Sequence, residues 1–175
     1  LIGRIQNNGT LPMITSCSPG WIKYCEHYFP EFTENLSTCK SPQQMFGAVV
    51  KTYYAQKMGW DPKDIVMVSA IPCTAKKFEV DRQDQSAAGV PDVDYAITTR
   101  EVGRMIQKAG INFRALEDEK FDDPFAIGSS AGAIFGATGG VMEAALRTAY
   151  FVLEGKEHEA IKFEAVRGFE GIKEA

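Results

Sequence analysis

Residues 64–70, Asp-Ile-Val-Met-Val-Ser-Ala, constrain the fold of this chain more than any other segment. Apolar and β-branched residues fill the run without polar alternation, so it reads as a strand buried in a parallel sheet. A parallel neighbour needs a crossover connection, and helix-like sequence follows at once, through Lys76 and Glu79 beyond Ile71-Pro72-Cys73. The alternation recurs. Residues 11–15 and 93–98 read as further short strands, and residues 161–166 as a last one. Pro19-Gly20-Trp21 opens an amphipathic stretch that ends near Pro30. Ser41 is a good N-cap, with Pro42 at N1 and Gln44 at N3 as in a capping box, for a helix running to Gly59. Thr98 and Glu101 form a second capping box for a helix ending at Gly110. An acidic connection, residues 117–123, reads as a solvated loop, and the Gly- and Ala-rich residues 128–140 feed a helix over 141–153. Strands alternating with helices predict an α/β fold, a mostly parallel sheet flanked by helices.

Composition narrows the function classes. The chain has 175 residues, 45% hydrophobic and 24% charged, which suits one soluble domain or a piece of a larger one. A net charge of −4, a pI near 5.3 and the lack of a basic run argue against nucleic acid or an anionic membrane as partner. No apolar stretch approaches the roughly 18 residues of a membrane span, and no signal peptide opens the chain. It begins at Leu1, inside helix-like sequence, so an interior piece of a cytoplasmic protein is expected.

The four cysteines, Cys17, Cys25, Cys39 and Cys73, match no zinc spacing. Any one of them taken singly reads first as a buried, inert thiol. Cys17 and Cys73, however, each follow a strand, where ligands collect in open α/β sheets, and Pro19 and Pro72 stiffen the backbone beside them. Soft thiolates in such places suit iron–sulfur clusters. Lys76 lies one helical turn beyond Cys73 and Glu79 one turn further. They read either as a surface Lys–Glu pair or as a cation facing a metal site. Gly136, Gly139 and Gly140 precede a helix without completing a P-loop or dinucleotide pattern, leaving an anion cradle and tight helix packing both open. His27 and His158 lack partner motifs and read as ordinary histidines.

Taken in order, these segments resemble the iron-only ([FeFe]) hydrogenases along essentially the whole chain. Thr15-Ser16-Cys17-Ser18-Pro19-Gly20-Trp21 resembles the family's first signature, Thr-Ser-Cys-Cys-Pro-x-Trp. Ile71-Pro72-Cys73-Thr74-Ala75-Lys76-Lys77-Phe78-Glu79 resembles the second, Met-Pro-Cys-x-x-Lys-x-x-Glu. The run from Ser37 to Met45 is similar to the connecting segment, and that from Phe135 to Ala144 to the stretch before the third signature. The resemblance implies the reaction 2H⁺ + 2e⁻ ⇌ H₂ at an H-cluster, a [4Fe–4S] cubane joined to a two-iron subcluster, in a two-lobed catalytic domain. It implies Cys73 as cubane ligand, Lys76 as donor to a cyanide, and Glu79 orienting that region. Pro72, Gln43, Phe135 and Gly136 would line the cofactor pocket. Ser37 would relay protons from a first-signature cysteine, with Arg4 at the outer end. Ferredoxin or NAD(P)-linked subunits would exchange electrons, and maturation proteins would install the cofactor.

Two departures stand out. The first signature here carries one cysteine, so strict register makes Cys17 the proton relay and puts Ser18 at the ligand position; a local shift would make Cys17 the ligand instead. The third signature, with two further cysteines, is absent, so residues 1–175 are expected to be part of an H-cluster domain and inactive alone. Ile71 replaces a methionine at little cost in volume. The rival expectation is a non-catalytic relative in iron–sulfur assembly or H₂ sensing.

Overall fold

The computed structural model describes residues 1–122, 124–125, 128–157, 164–165 and 172–174. In chain order the elements are α1 (Ile2–Gln6), α2 (Pro19–Tyr28), α3 (Pro42–Val49), α4 (Ala55–Met58), β1 (Val68–Ala70), α5 (Ala75–Val80), β2 (Tyr95–Ile97), α6 (Thr99–Lys108), α7 (Ser130–Ile134), α8 (Gly140–Glu154), β3 (Glu164–Ala165) and β4 (Lys173–Glu174). They fall into two units, Thr10–Lys120 and Leu1–Gly9 with Phe121–Ala175.

In the first unit β1 and β2 pair in parallel, with Val68 opposite Tyr95, Ser69 opposite Ala96 and Ala70 opposite Ile97. Ile71 continues the ladder by donating to the Ile97 carbonyl at 3.0 Å, so the sheet ends where Pro72 and Cys73 begin. The α/β expectation holds, while two strand readings shrink. Residues 62–64 form a 3₁₀ turn capped by Asp61, and β1 is not buried: Val68 is 51% exposed, and Val66 just before the strand 65%. Within this unit β1 has one paired neighbour and no layer over the side that carries those valines. Residues 11–15 reduce to a single parallel bridge between Ile14 and Leu36. Its bonds run from Ile14 N to Asn35 O at 2.8 Å and from Ser37 N to Ile14 O at 2.7 Å.

Local capping builds the helices. Ser41 accepts from the Gln44 N–H at 3.3 Å, and the helical run continues from α3 through a π-helical turn, Val50–Tyr54, into α4. Gly59 ends it with a φ of 70°, a left-handed conformation that glycine adopts without strain. The reciprocal half of that capping box does not form: Gln44 is fully buried, and neither of its amide atoms has a hydrogen-bond partner among the described residues. Thr98 and Glu101 do close their box in both directions.

The centre of this unit is unusually charged. Lys51, Lys76, Glu79 and Asp92 are buried alongside Cys25, Val50, Ala55 and Val93. Lys51 donates to the Pro91 carbonyl and to Asp94, both at 2.7 Å, and Asp94 accepts from the Met67 N–H at 2.6 Å. One buried lysine thus ties the long helical run to the segments entering both strands. Gly47 lets α3 lie against the same turn, since a Cβ there would collide with the Asp92 carbonyl and come within 2.9 Å of Val93. Asp92 itself pairs with Lys40 and accepts from the Ala87 N–H. Helix α2 meets α5 through Lys23 above the Phe78 ring, and the Glu26–Arg82 ion pair ties α2 to the turn just after α5.

In the second unit α7 packs on α8. A Cβ on Gly140 would overlap the Ile134 carbonyl, and Gly139 caps α8 with a φ of 78°. Gly140 therefore serves close helix packing, whereas Gly139 has open space where a Cβ would sit and is set by its left-handed backbone. Strands β3 and β4 pair antiparallel; of the strand expected over 161–166 only Glu164–Ala165 lies within the described residues, and His158 lies outside them. No described helix is long and apolar enough to cross a membrane.

Candidate metal centre

Two segments converge at the carboxyl end of β1. Cys73 sits in the turn between β1 and α5, its thiol free and exposed. Lys76 and Glu79 follow on the face of α5 that turns inward, 7% and 6% exposed. Their contact is a buried ion pair, 3.1 Å from Nζ to Oε2, rather than the surface pair that spacing alone also allows. Lys76 also donates to the Cys17 carbonyl at 2.8 Å, which holds the first signature beside the second.

The carboxylate of Glu79 is satisfied by residues remote in sequence. Its Oε2 accepts from Ser41 at 2.8 Å and from the Gln43 amide at 3.4 Å. Gln43 in turn accepts from the Ser69 hydroxyl at 2.6 Å. Such donors matter, because a buried carboxylate without them carries a large desolvation penalty. Of the sequence-derived site residues, Cys17, Lys76, Glu79 and Gln43 join this one network. Pro72 is exposed beside Cys73, and Phe135 and Gly136 belong to the other unit.

Ser37 lies in a segment stitched to the first signature. Besides the bridge at Ile14, Ser16 donates to the Cys39 carbonyl at 2.7 Å, and the Cys39 N–H donates to Ser37 Oγ at 3.1 Å. Ser37 and Glu79 both line a cleft of about 310 Å³ with Lys40, Arg82 and Asp84. Ser18 N-caps α2, accepting from the Trp21 N–H at 3.4 Å. Cys25 is the inert buried thiol of the set, its Sγ donating to the Phe29 carbonyl. Ser41 and Ser69 escaped recognition as site residues. Ser41 explained itself as a cap, and the only signal from Ser69 was a hydroxyl in an otherwise apolar strand.

All 175 residues match the family model described as iron only hydrogenase large subunit, C-terminal domain. The chain belongs to the iron only hydrogenase family. It is 54% identical over its whole length to iron hydrogenase 1 of Clostridium pasteurianum, covering 30% of that protein. It is 51% identical over 96% of its length to the NADP-reducing hydrogenase subunit HndD of Solidesulfovibrio fructosivorans, covering 29% of it. The structure of the [FeFe]-hydrogenase HydA(deltaEFG), which revealed stepwise H-cluster assembly, superposes with a TM-score of 0.80 at 45% identity, over 98% of this chain and 43% of that one. A cytosolic Fe-S cluster assembly factor of Xenopus tropicalis is more distant, at 31% identity over 93% of the chain. The chain spans about a third of the length of these curated relatives.

Members of this family carry the H-cluster, and the donor set here fits part of its surroundings. Two free thiols, Cys17 and Cys73, are soft ligands for iron, and a buried ammonium lies against the peptide of one of them. Among the described residues no three His, Cys, Asp or Glu side chains converge as a metal site.

Proposed function

We propose that this chain is part of the catalytic subunit of a hydrogenase that interconverts protons and electrons with H₂. Its two units are then parts of one H-cluster domain. The observation that carries the reading is the buried Lys76, held between the Cys17 carbonyl and Glu79 at the end of the strand that delivers Cys73. When bound, the H-cluster supplies the iron centre at which protons and electrons combine.

The chain's own residues prepare that site. Cys73 donates a thiolate to the cubane, and Cys17 is the sulfur that the first signature offers, since the Ser18 oxygen is engaged as the cap of α2. Lys76 has three N–H donors. One serves Cys17, and Glu79, with its two oxygens at 3.1 and 3.2 Å, bifurcates a second. The third is left for an anionic acceptor such as a metal-bound cyanide. Pro72 and Gln43 line the cofactor pocket on the side of this network. Ser37 keeps its own O–H to pass a proton along the stitched segment. Electrons come from ferredoxin or from NAD(P)-linked subunits, the second choice being supported by the likeness to an NADP-reducing hydrogenase subunit. The higher identity to hydrogenases than to assembly factors favours catalysis over the assembly role.

Infrared spectroscopy of the matured full-length protein tests the proposal. Bands from iron-bound CO and CN⁻ are expected. A protein that incorporates iron and sulfide yet lacks those bands is an iron–sulfur protein without hydrogenase chemistry.

A further inference from the structure

Ser69 occupies the middle of β1 with its side chain turned inward, between the exposed Val68 and Ala70. Its hydroxyl donates to Gln43 Oε1 at 2.6 Å. That bond decides the orientation of the Gln43 amide. With Oε1 engaged by Ser69, Nε2 faces Glu79 Oε2 at 3.4 Å and donates to it. The flipped amide would set Oε1 against the carboxylate, two acceptors with no proton between them. Ser41 donates to the same Oε2 from the cap of α3, at 2.8 Å. Both oxygens of Glu79 are then available to Lys76 in one fixed orientation, at 3.1 and 3.2 Å, while Lys76 reaches the Cys17 carbonyl at 2.8 Å.

We propose that Ser69 is a positioning residue: through Gln43 it locks the Glu79 carboxylate, and so sets the direction in which the Lys76 ammonium presents its remaining proton to the cofactor pocket. The bonds Ser69–Gln43–Glu79–Lys76–Cys17 join four separate segments: β1, α3, α5 and the residues before α2. Each link is directional, so losing the first releases the amide, then the carboxylate, then the ammonium. The importance of that proton rests on the hydrogenase reading above, whereas the locking of Lys76 is a property of this chain alone.

The test uses two readouts on the full-length protein, with Ser69→Ala and Ser69→Thr. In cluster-free protein, the rate at which an amine-acylating reagent labels Lys76 is followed by mass spectrometry. Exposed Lys63 and buried Lys51 serve as controls, since Lys51 depends on Pro91 and Asp94 and not on this network. Ser69→Ala is expected to raise Lys76 labelling on the order of tenfold, the effect of one lost hydrogen bond of ordinary strength, with Lys51 unchanged. Ser69→Thr, which keeps the hydroxyl, restores the original rate. In matured protein, the cyanide bands of Ser69→Ala shift relative to the parent, and those of Ser69→Thr return. Equal acceleration at Lys51 and Lys76 overturns the proposal, because it signals general loosening, as does unchanged labelling at Lys76. Accelerated, Thr-rescued labelling in a parent protein that never shows CO or CN⁻ bands instead overturns the hydrogenase reading and leaves the role of Ser69 intact.

Discussion

Replacing Lys76 with methionine leaves the Glu79 carboxylate buried with only neutral donors, Ser41 at 2.8 Å and Gln43 at 3.4 Å. The side chains of the pair are 9% and 7% exposed, so solvent does little to screen the loss. Breaking a buried pair from one side costs about 3–5 kcal/mol, because an uncompensated charge stays inside. At about 1.4 kcal/mol per factor of ten, that is roughly two to three and a half powers of ten in the opening equilibrium of the surrounding structure. Hydrogen exchange read by mass spectrometry on peptides from α5, in cluster-free full-length protein, measures it directly. Glu79→Gln keeps the shape and an acceptor for Lys76, so its cost is smaller. The double variant Lys76→Met with Glu79→Gln removes both charges and is expected to fall short of the sum of the singles by about 2 kcal/mol, within the usual range for residues in contact. If Lys76→Met changes protection in α5 by less than tenfold, or if the two substitutions simply add, the pair is not the coupled, desolvated unit its geometry describes.

Two further outcomes bear on the first signature and on the junction of α5 with α6. Cys17→Ala is expected to lower the iron and sulfide content of the matured protein, whereas Ser18→Ala weakens only the cap of α2, by about 1 kcal/mol; iron lost with Ser18→Ala and kept with Cys17→Ala would reverse the assignment. Hydrogen bonds from Lys77, then from the Thr98 backbone and hydroxyl, hold the Glu101 carboxyl down to about 2 from an ordinary 4.5. A folded value below the unfolded one means that this contribution to stability is complete above about 4.5 and disappears as pH falls through about 2. A carboxyl-detected NMR titration should show a midpoint near the lower value that climbs in Lys77→Met. A midpoint unaffected by that substitution would separate Glu101 from Lys77.

Much of this molecule is written locally. The caps at Ser41 and Thr98 and the stop at Gly59 each depend on residues within about four positions, so their signatures read directly from the chain. The ordered signatures around Cys17 and Cys73 likewise identify the family without any coordinates. Strand lengths were less legible, because an apolar run such as residues 64–70 does not encode how many neighbours will pair with it. Gln44 shows the same limit: its N3 position suggests a capping partner, yet packing buries the side chain and the reciprocal bond never forms.

The sequence by itself determined the two cysteine segments, the lysine and glutamate one and two turns beyond the second, and the helix that starts at Ser41. Only the tertiary structure decided that Lys76 and Glu79 form a buried pair, that Ser41 and Gln43 satisfy it from 38 and 36 residues away, and that Ser69 orients Gln43. The reason is dielectric. The same Lys and Glu at the same spacing are a weakly coupled surface pair in water and a rigid, directional unit once the fold removes the water around them.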